Sequence, residues 1–257
     1  MWQYIVCCIV MLKKWILLLV IILVASLILP VGATQYNPPW AHNYGFYYPD
    51  AKDTRLQATN AANYQSIVGY DAYGLHNSSA YIGYTNLKDD AVFFFIGHGT
   101  GWGDFDRGGG VEFYNGTKSL IVAEYRGNLP EDEHYFLSSM STELEDLLLV
   151  VWASCYSART SPSFGNLVDM THEKGADNVI GFFDAVHTPF LECWSDRFWY
   201  RCLYGGPGGN PQDIVTAANF AKMDVLQTYS GYGGTNFMVI KNRVPYDYLN
   251  PARYGEV

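Results

Sequence analysis

Two residues in this chain have the type and the placement for nucleophilic chemistry, His98 and Cys155. Each closely follows an apolar run, His98 after residues 91–96 and Cys155 after residues 147–153. Uninterrupted runs of this kind fit strands buried on both faces of a parallel sheet. Open α/β sheets gather their function at the carboxyl ends of such strands. If the two strands are neighbours, the imidazole and the thiol face each other there. A thiol with a pKa near 8.5 is mostly protonated at neutral pH, and an adjacent imidazole makes the thiolate available. The same imidazole can hand a proton to a leaving group. Gly97 and Gly99 flank the histidine. They suit a tight turn whose bare N–H groups can approach a developing oxyanion.

The rest of the chain supplies the elements that must position this pair. Residues 34–55 are rich in Pro, Tyr and Asn and read as an extended segment with one short strand. Residues 56–73 read as a helix. A glycine-rich loop runs from Gly99 to Gly110, and residues 112–125 alternate around Asn115-Gly116, a hairpin signal. Residues 141–146 carry a capping-box pattern and predict a short helix. Further helices are expected over 163–174, 190–204 and 211–227, with strands over 178–183 and 236–240. Alternating strands and helices predict an α/β domain, an open and mostly parallel β-sheet with helices on both faces.

The motifs "FFFIGHGTG" at 93–101, "LLLVVWASCYSAR" at 147–159 and "GADNVIGF" at 175–182 are specific enough for a comparison. Together they resemble the caspase–gingipain–clostripain group of cysteine peptidases and the related CHAT domains. That pattern is an apolar strand ending in His-Gly, a second ending in a small residue and Cys, and a third of the "vIGf" kind. The gap of 57 residues between His98 and Cys155 is close to the roughly 50 of caspases. The likeness extends over about residues 88–240. It implies a caspase-like domain over 34–257 and an endopeptidase working through a thioester. Cys155 would be the nucleophile and His98 the general base and acid. The backbone N–H groups of Gly99 and Cys155 would bind the oxyanion.

The pattern is broken in one place. Several relatives that prefer basic residues carry Asp two positions before the Cys, where this chain has Ala153. Asp184, Asp104 and Asp106 are the carboxylates left to line a substrate pocket. By the same resemblance Asp104 and Asp106 could instead bind calcium, as some relatives do; the bland alternatives are a turn cap for Asp184 and a solvated loop for Asp104 and Asp106. His187 is the rival base near the same sheet edge. No HExxH or CxxC spacing occurs, so no metal and no cofactor are expected.

Composition narrows the remaining choices. With 49% hydrophobic and 16% charged residues, the chain can bury a sizeable core. Its net charge of −9 disfavours nucleic acid and suits a basic protein or peptide substrate. Lys13 and Lys14 precede an apolar run through Val31, followed by Gly32-Ala33. Residues 1–33 therefore read as a signal peptide or an N-terminal membrane anchor, with membrane association through residues 4–31 in the second case. Either reading places the domain outside the cytoplasm, secreted or on the outer face of the membrane. Beyond the leader, Cys155, Cys193 and Cys202 remain, an odd number that points to a free thiol. Cys193 and Cys202 would sit on opposite faces of one helix, too far apart to bridge. Two other functions stay open: a catalytically inactive surface binding module, and another cysteine hydrolase or acyltransferase.

Overall fold

In the computed structural model, an apolar run of five residues, Val92–Ile96, forms the strand β3 near the middle of a six-stranded sheet, and all five side chains are buried. The structure describes residues 39–49, 53–102, 106–125, 134–229 and 238–251, all within one compact unit. The leader at 1–33 and Asp104 lie outside the described residues.

The elements follow in chain order. Strand β1 (Trp40–Gly45) leads to helix α1 (Arg55–Val68), strand β2 (Asp71–His76) and helix α2 (Ala80–Asp89). After β3 come β4 (His98–Trp102), β5 (Asp106–Tyr114), β6 (Lys118–Val122) and β7 (His134–Phe136). Strand β8 (Leu149–Ala153), helix α3 (Leu167–Glu173), strand β9 (Asn178–Phe182), helix α4 (Thr188–Tyr204), helix α5 (Ile214–Thr228) and strand β10 (Met238–Asn242) complete the fold. The large sheet has the order β10-β9-β8-β3-β1-β2, parallel except for β10. Strands β4 to β7 form a second, four-stranded sheet in which the β5–β6 hairpin turns through Asn115-Gly116.

Alternation along the central strands divides the core in two. Phe94, Val151 and Ile180 face one side, where α4 and α5 supply Trp194, Phe198, Trp199 and Ala218. Phe93, Phe95 and Trp152 face the other, against Leu87 of α2, Leu167 of α3 and Phe113 of β5. Both faces are thus covered, as a parallel sheet requires. Each large apolar side chain withdrawn from water contributes about 1.5–3 kcal/mol. The Phe94 ring meets Trp199 edge-on at 5.5 Å.

Several elements differ from the sequence reading. The expected helix over 56–73 ends at Val68, because Gly69 adopts φ 105° and terminates it as a left-handed cap. Asp71–His76 then becomes the edge strand β2, paired in parallel with β1. The short helix expected over 141–146 is a run of turns. Six residues return too few helical hydrogen bonds to offset nucleation, and Glu143 pairs with Lys88 at 2.7 Å. Helix α3 starts at Leu167 because the Asn166 side chain caps it, accepting from the Asp169 N–H. The stretch before it instead closes a Ser161–Gly165 bridge.

Candidate active site

Parallel pairing of β3 with β8 sets Ile96 beside Ala153. His98 and Cys155 each lie two residues beyond that matched pair, so the register alone brings them to the same end of the sheet. The Gly97 N–H donates to the Ala153 carbonyl at 3.2 Å and ties the two exits together. The sheet order reverses direction between β1 and β3, the switch point where such sheets open a crevice. A cleft of about 160 Å³ opens here, lined by Tyr48, Thr54, His98, Cys155, Val186 and His187 among others. Its walls come from the loops after β1, β3, β8 and β9.

His98 is exposed, and its ring packs edge-on against Tyr48 with centroids 4.3 Å apart. Tyr48 is buried, donates its hydroxyl to the Glu112 carbonyl at 2.6 Å and receives the His98 backbone N–H at 3.5 Å. Burial pushes its phenol far above the ordinary range, so it stays a neutral donor. Thr54 braces the same corner, donating to the Ile96 carbonyl at 2.8 Å and accepting from the Phe46 N–H at 3.0 Å.

Cys155 is half-buried. Its sulfur accepts from the Val186 N–H and donates to the Val186 carbonyl, each at 3.3 Å. Burial pushes the thiol pKa up and the nearby Asp184 adds to that, while the Val186 N–H and Arg107 pull the other way. In this resting arrangement the thiol is protonated and tied to Val186; among the described residues it shares no hydrogen bond with His98. Next to it, Tyr156 takes φ 59°, a left-handed conformation that costs a non-glycine residue energy. Its N–H donates to the Asp184 carbonyl at 3.3 Å, and the guanidinium groups of Arg107 and Arg159 each lie over its ring, 5.6 Å from its centre. Arg107 also donates to the Tyr156 hydroxyl at 3.1 Å.

The remaining candidates fall as follows. The Gly99 backbone abuts the Cys155 carbonyl. The Cys155 N–H lies beside its own sulfur and bonds to no other described residue. Asp184 is half-buried, and its carboxylate accepts from the Ala185 N–H at 2.7 Å in a local turn. Asp106 begins β5, paired with Trp102. His187 precedes α4 on the cleft wall. Among the described residues no three His, Cys, Asp or Glu side chains converge as metal ligands. Tyr48, Thr54, Val186 and Arg107 escaped the sequence reading, because their roles arise from tertiary contact and no local motif marks them.

The Arg-specific cysteine proteinase gingipain R shares this architecture over 81% of the present chain, with a TM-score of 0.55 and 9% identity. The chain has the caspase-like fold. It spans 46% of the length of gingipain R, and at this identity the likeness speaks for the fold alone. Caspase-1 from Spodoptera frugiperda matches with a TM-score of 0.45 and 9% identity, over 86% of this chain and 94% of its own. The Saccharomyces cerevisiae separase of a separase–securin complex matches with a TM-score of 0.43 and 13% identity, over 80% of this chain and 12% of its own. No protein-family model matches the sequence, and no curated protein does. Within the caspase-like fold, the crevice at the carboxyl ends of β1, β3, β8 and β9 is the candidate site.

Proposed function

We propose that this protein is a cysteine endopeptidase working through Cys155 and His98, active outside the cytoplasm. The observation that carries this reading is the β3–β8 register, which sets an imidazole and a thiol two residues past one matched pair, on the walls of a single cleft. A peptide entering the cleft competes for the Val186 backbone groups that hold the sulfur. His98 then takes the thiol proton, and the thiolate attacks the scissile carbonyl carbon. The tetrahedral oxyanion is held by the backbone N–H groups of Gly99 and Cys155. As the C–N bond breaks, His98 protonates the leaving amine and a thioester remains. Water, deprotonated by His98, hydrolyses the thioester, releases the carboxylic acid and restores the thiol.

The acidic net charge favours basic peptide substrates. Residues 1–33 supply the leader or anchor that places the domain outside the cytoplasm. Asp184 supplies negative charge near the sulfur, as its influence on the thiol indicates. The test is incubation of the protein with a mixed peptide library. Cleavage lost in Cys155→Ala and His98→Ala supports the reading; no cleavage, or cleavage that survives Cys155→Ala, refutes it.

A second reading, a catalytically silent binding module, draws on one observation. The thiol is bonded to Val186 and held in its neutral form by burial. That reading requires the sulfur to stay inert even when a peptide-like reagent fills the cleft.

A further inference from the structure

The cleft that holds Cys155 and His98 has an uncharged wall. Among the described residues no Asp, Glu, Lys or Arg lines it; beyond the reacting pair and Gly97 the lining is Tyr48, Thr54, Val186, His187, Thr188 and Leu191. Val186 and Leu191 belong to the core on the α4 side of the sheet and Tyr48 to the core on the other side. The cleft is therefore a gap in the edge of the hydrophobic interior. Two hydroxyl groups on its wall are already engaged, Tyr48 with the Glu112 carbonyl at 2.6 Å and Thr54 with the Ile96 carbonyl at 2.8 Å. The two charged side chains that act on the thiol, Asp184 and Arg107, stand outside the lining and oppose each other. Asp184 accepts from the Ala185 N–H at 2.7 Å, and Arg107 donates to the Tyr156 hydroxyl at 3.1 Å. An ionised side chain entering this cleft gives up its hydration and meets no counter-ion, a costly exchange. An apolar side chain gains by leaving water. The volume, about 160 Å³, is close to the roughly 150 Å³ of a cavity that takes a benzene ring.

We propose, resting on the peptidase reading above, that this cleft selects an uncharged, apolar residue on the acyl side of the scissile bond, of leucine, methionine or phenylalanine size. In that reaction the acyl group stays bonded to the Cys155 sulfur as the thioester. The side chain next to the attacked carbonyl is then the part of the peptide held against the lining, and Tyr48, Val186, Thr188 and Leu191 set the choice. Basic residues, which the acidic net charge attracts, occupy other positions of the peptide.

The experiment labels Cys155 in the full chain with tripeptidyl chloromethyl ketones that differ only in the last residue: leucine, phenylalanine, arginine, lysine or aspartate. Rates are read at Cys155 by peptide mapping and divided by each reagent's rate with free glutathione. The leucine or phenylalanine reagent should label at least about tenfold faster than every charged one, within the range a hydrophobic pocket discriminates. A smaller preference, or a charged reagent in front, overturns the proposal, and the peptidase reading stands as long as labelling depends on His98. Labelling by none of the five, or labelling unchanged in His98→Ala, overturns the peptidase reading and the proposal with it. Thr188→Asp adds a carboxylate to the lining at the first residue of α4, where a helix N-terminus favours it. With thermal melting showing the variant folded, the arginine reagent should gain about tenfold on the leucine reagent. An unchanged ratio means that the selected side chain binds elsewhere, which also overturns the proposal.

Discussion

A methyl group placed on Gly99 would lie 1.8 Å from the carbonyl oxygen of Cys155. The loop that carries the imidazole and the loop that carries the thiol therefore touch backbone to backbone, with no room for a Cβ. The same holds behind Cys155, where Gly108, at φ 114°, passes within 2.8 Å (measured from a would-be Cβ) of the Tyr156 carbonyl. Gly99→Ala must push the loops apart. Displacement of this kind costs about 100-fold in kcat/KM, and we expect that loss in peptide hydrolysis while circular dichroism still reports a folded sheet. Unchanged activity would show that the contact does not set the spacing of the pair.

Tyr48 positions His98 without touching the thiol. Tyr48→Phe keeps the ring that packs on the imidazole but strips the Glu112 carbonyl of its donor. A buried acceptor left unpaired costs about 1–3 kcal/mol, so the melting temperature should fall by several degrees. The pH–rate profile should keep its shape while kcat drops about tenfold, as a positioning role requires. A changed ionisation limb would instead make the tyrosine a proton carrier.

Arg107 and Asp184 act on the Cys155 thiol with opposite signs. Arg107 favours the thiolate, so Arg107→Ala should move the pH midpoint of Cys155 alkylation upward. Asp184 disfavours it, so Asp184→Asn should move the midpoint downward. Iodoacetamide labelling across pH reads both shifts. Two shifts of the same sign would contradict the electrostatic picture.

Asp90 lies in the core with Oδ1 2.6 Å from His42 Nδ1. Burial is the main cause that pushes its carboxyl from 3.8 up to about 6, with the His42 hydrogen bond opposing. The folded state therefore holds the proton more tightly than the unfolded chain. The stability this contributes is fully present below pH 3.8 and is lost as pH rises through about 6. Across that window, chemical denaturation of the native protein should lose free energy relative to Asp90→Asn. Parallel profiles would mean that the carboxyl is already ionised in the fold.

The legible part of this fold is the part that is buried on both faces. Strands β3 and β8 announce themselves as unbroken apolar runs and β9 as an apolar run after Asn178, and the histidine and cysteine stand out because they follow such runs. Strand β1 does not, since "WAHNYG" mixes exposed Trp40 with buried Asn43, whose amide is satisfied by Gln65 at 2.6 Å. Nor does β2, an edge strand whose side chains are all partly or fully exposed and carry no periodic signal. At the site, the register that aligns His98 with Cys155 is a property of two strands pairing. The bond between the sulfur and Val186 depends on the path of the chain after β9. Neither is written in any local stretch of sequence.

The sharpest test of the Cys155–His98 pair compares two reagents on one sulfur. Iodoacetamide reports the resting thiol; a panel of peptidyl chloromethyl ketones fills the cleft and calls on the imidazole. We expect the peptidyl reagents to label Cys155 at neutral pH, where iodoacetamide is slow because burial protects the protonated thiol. His98→Ala should cut the peptidyl labelling about 100-fold or more, the range expected for a general base. His187→Ala should leave it largely intact. If both reagents instead follow a single ionisation above the ordinary thiol range, with or without His98, the pair does not exist and the peptidase assignment falls.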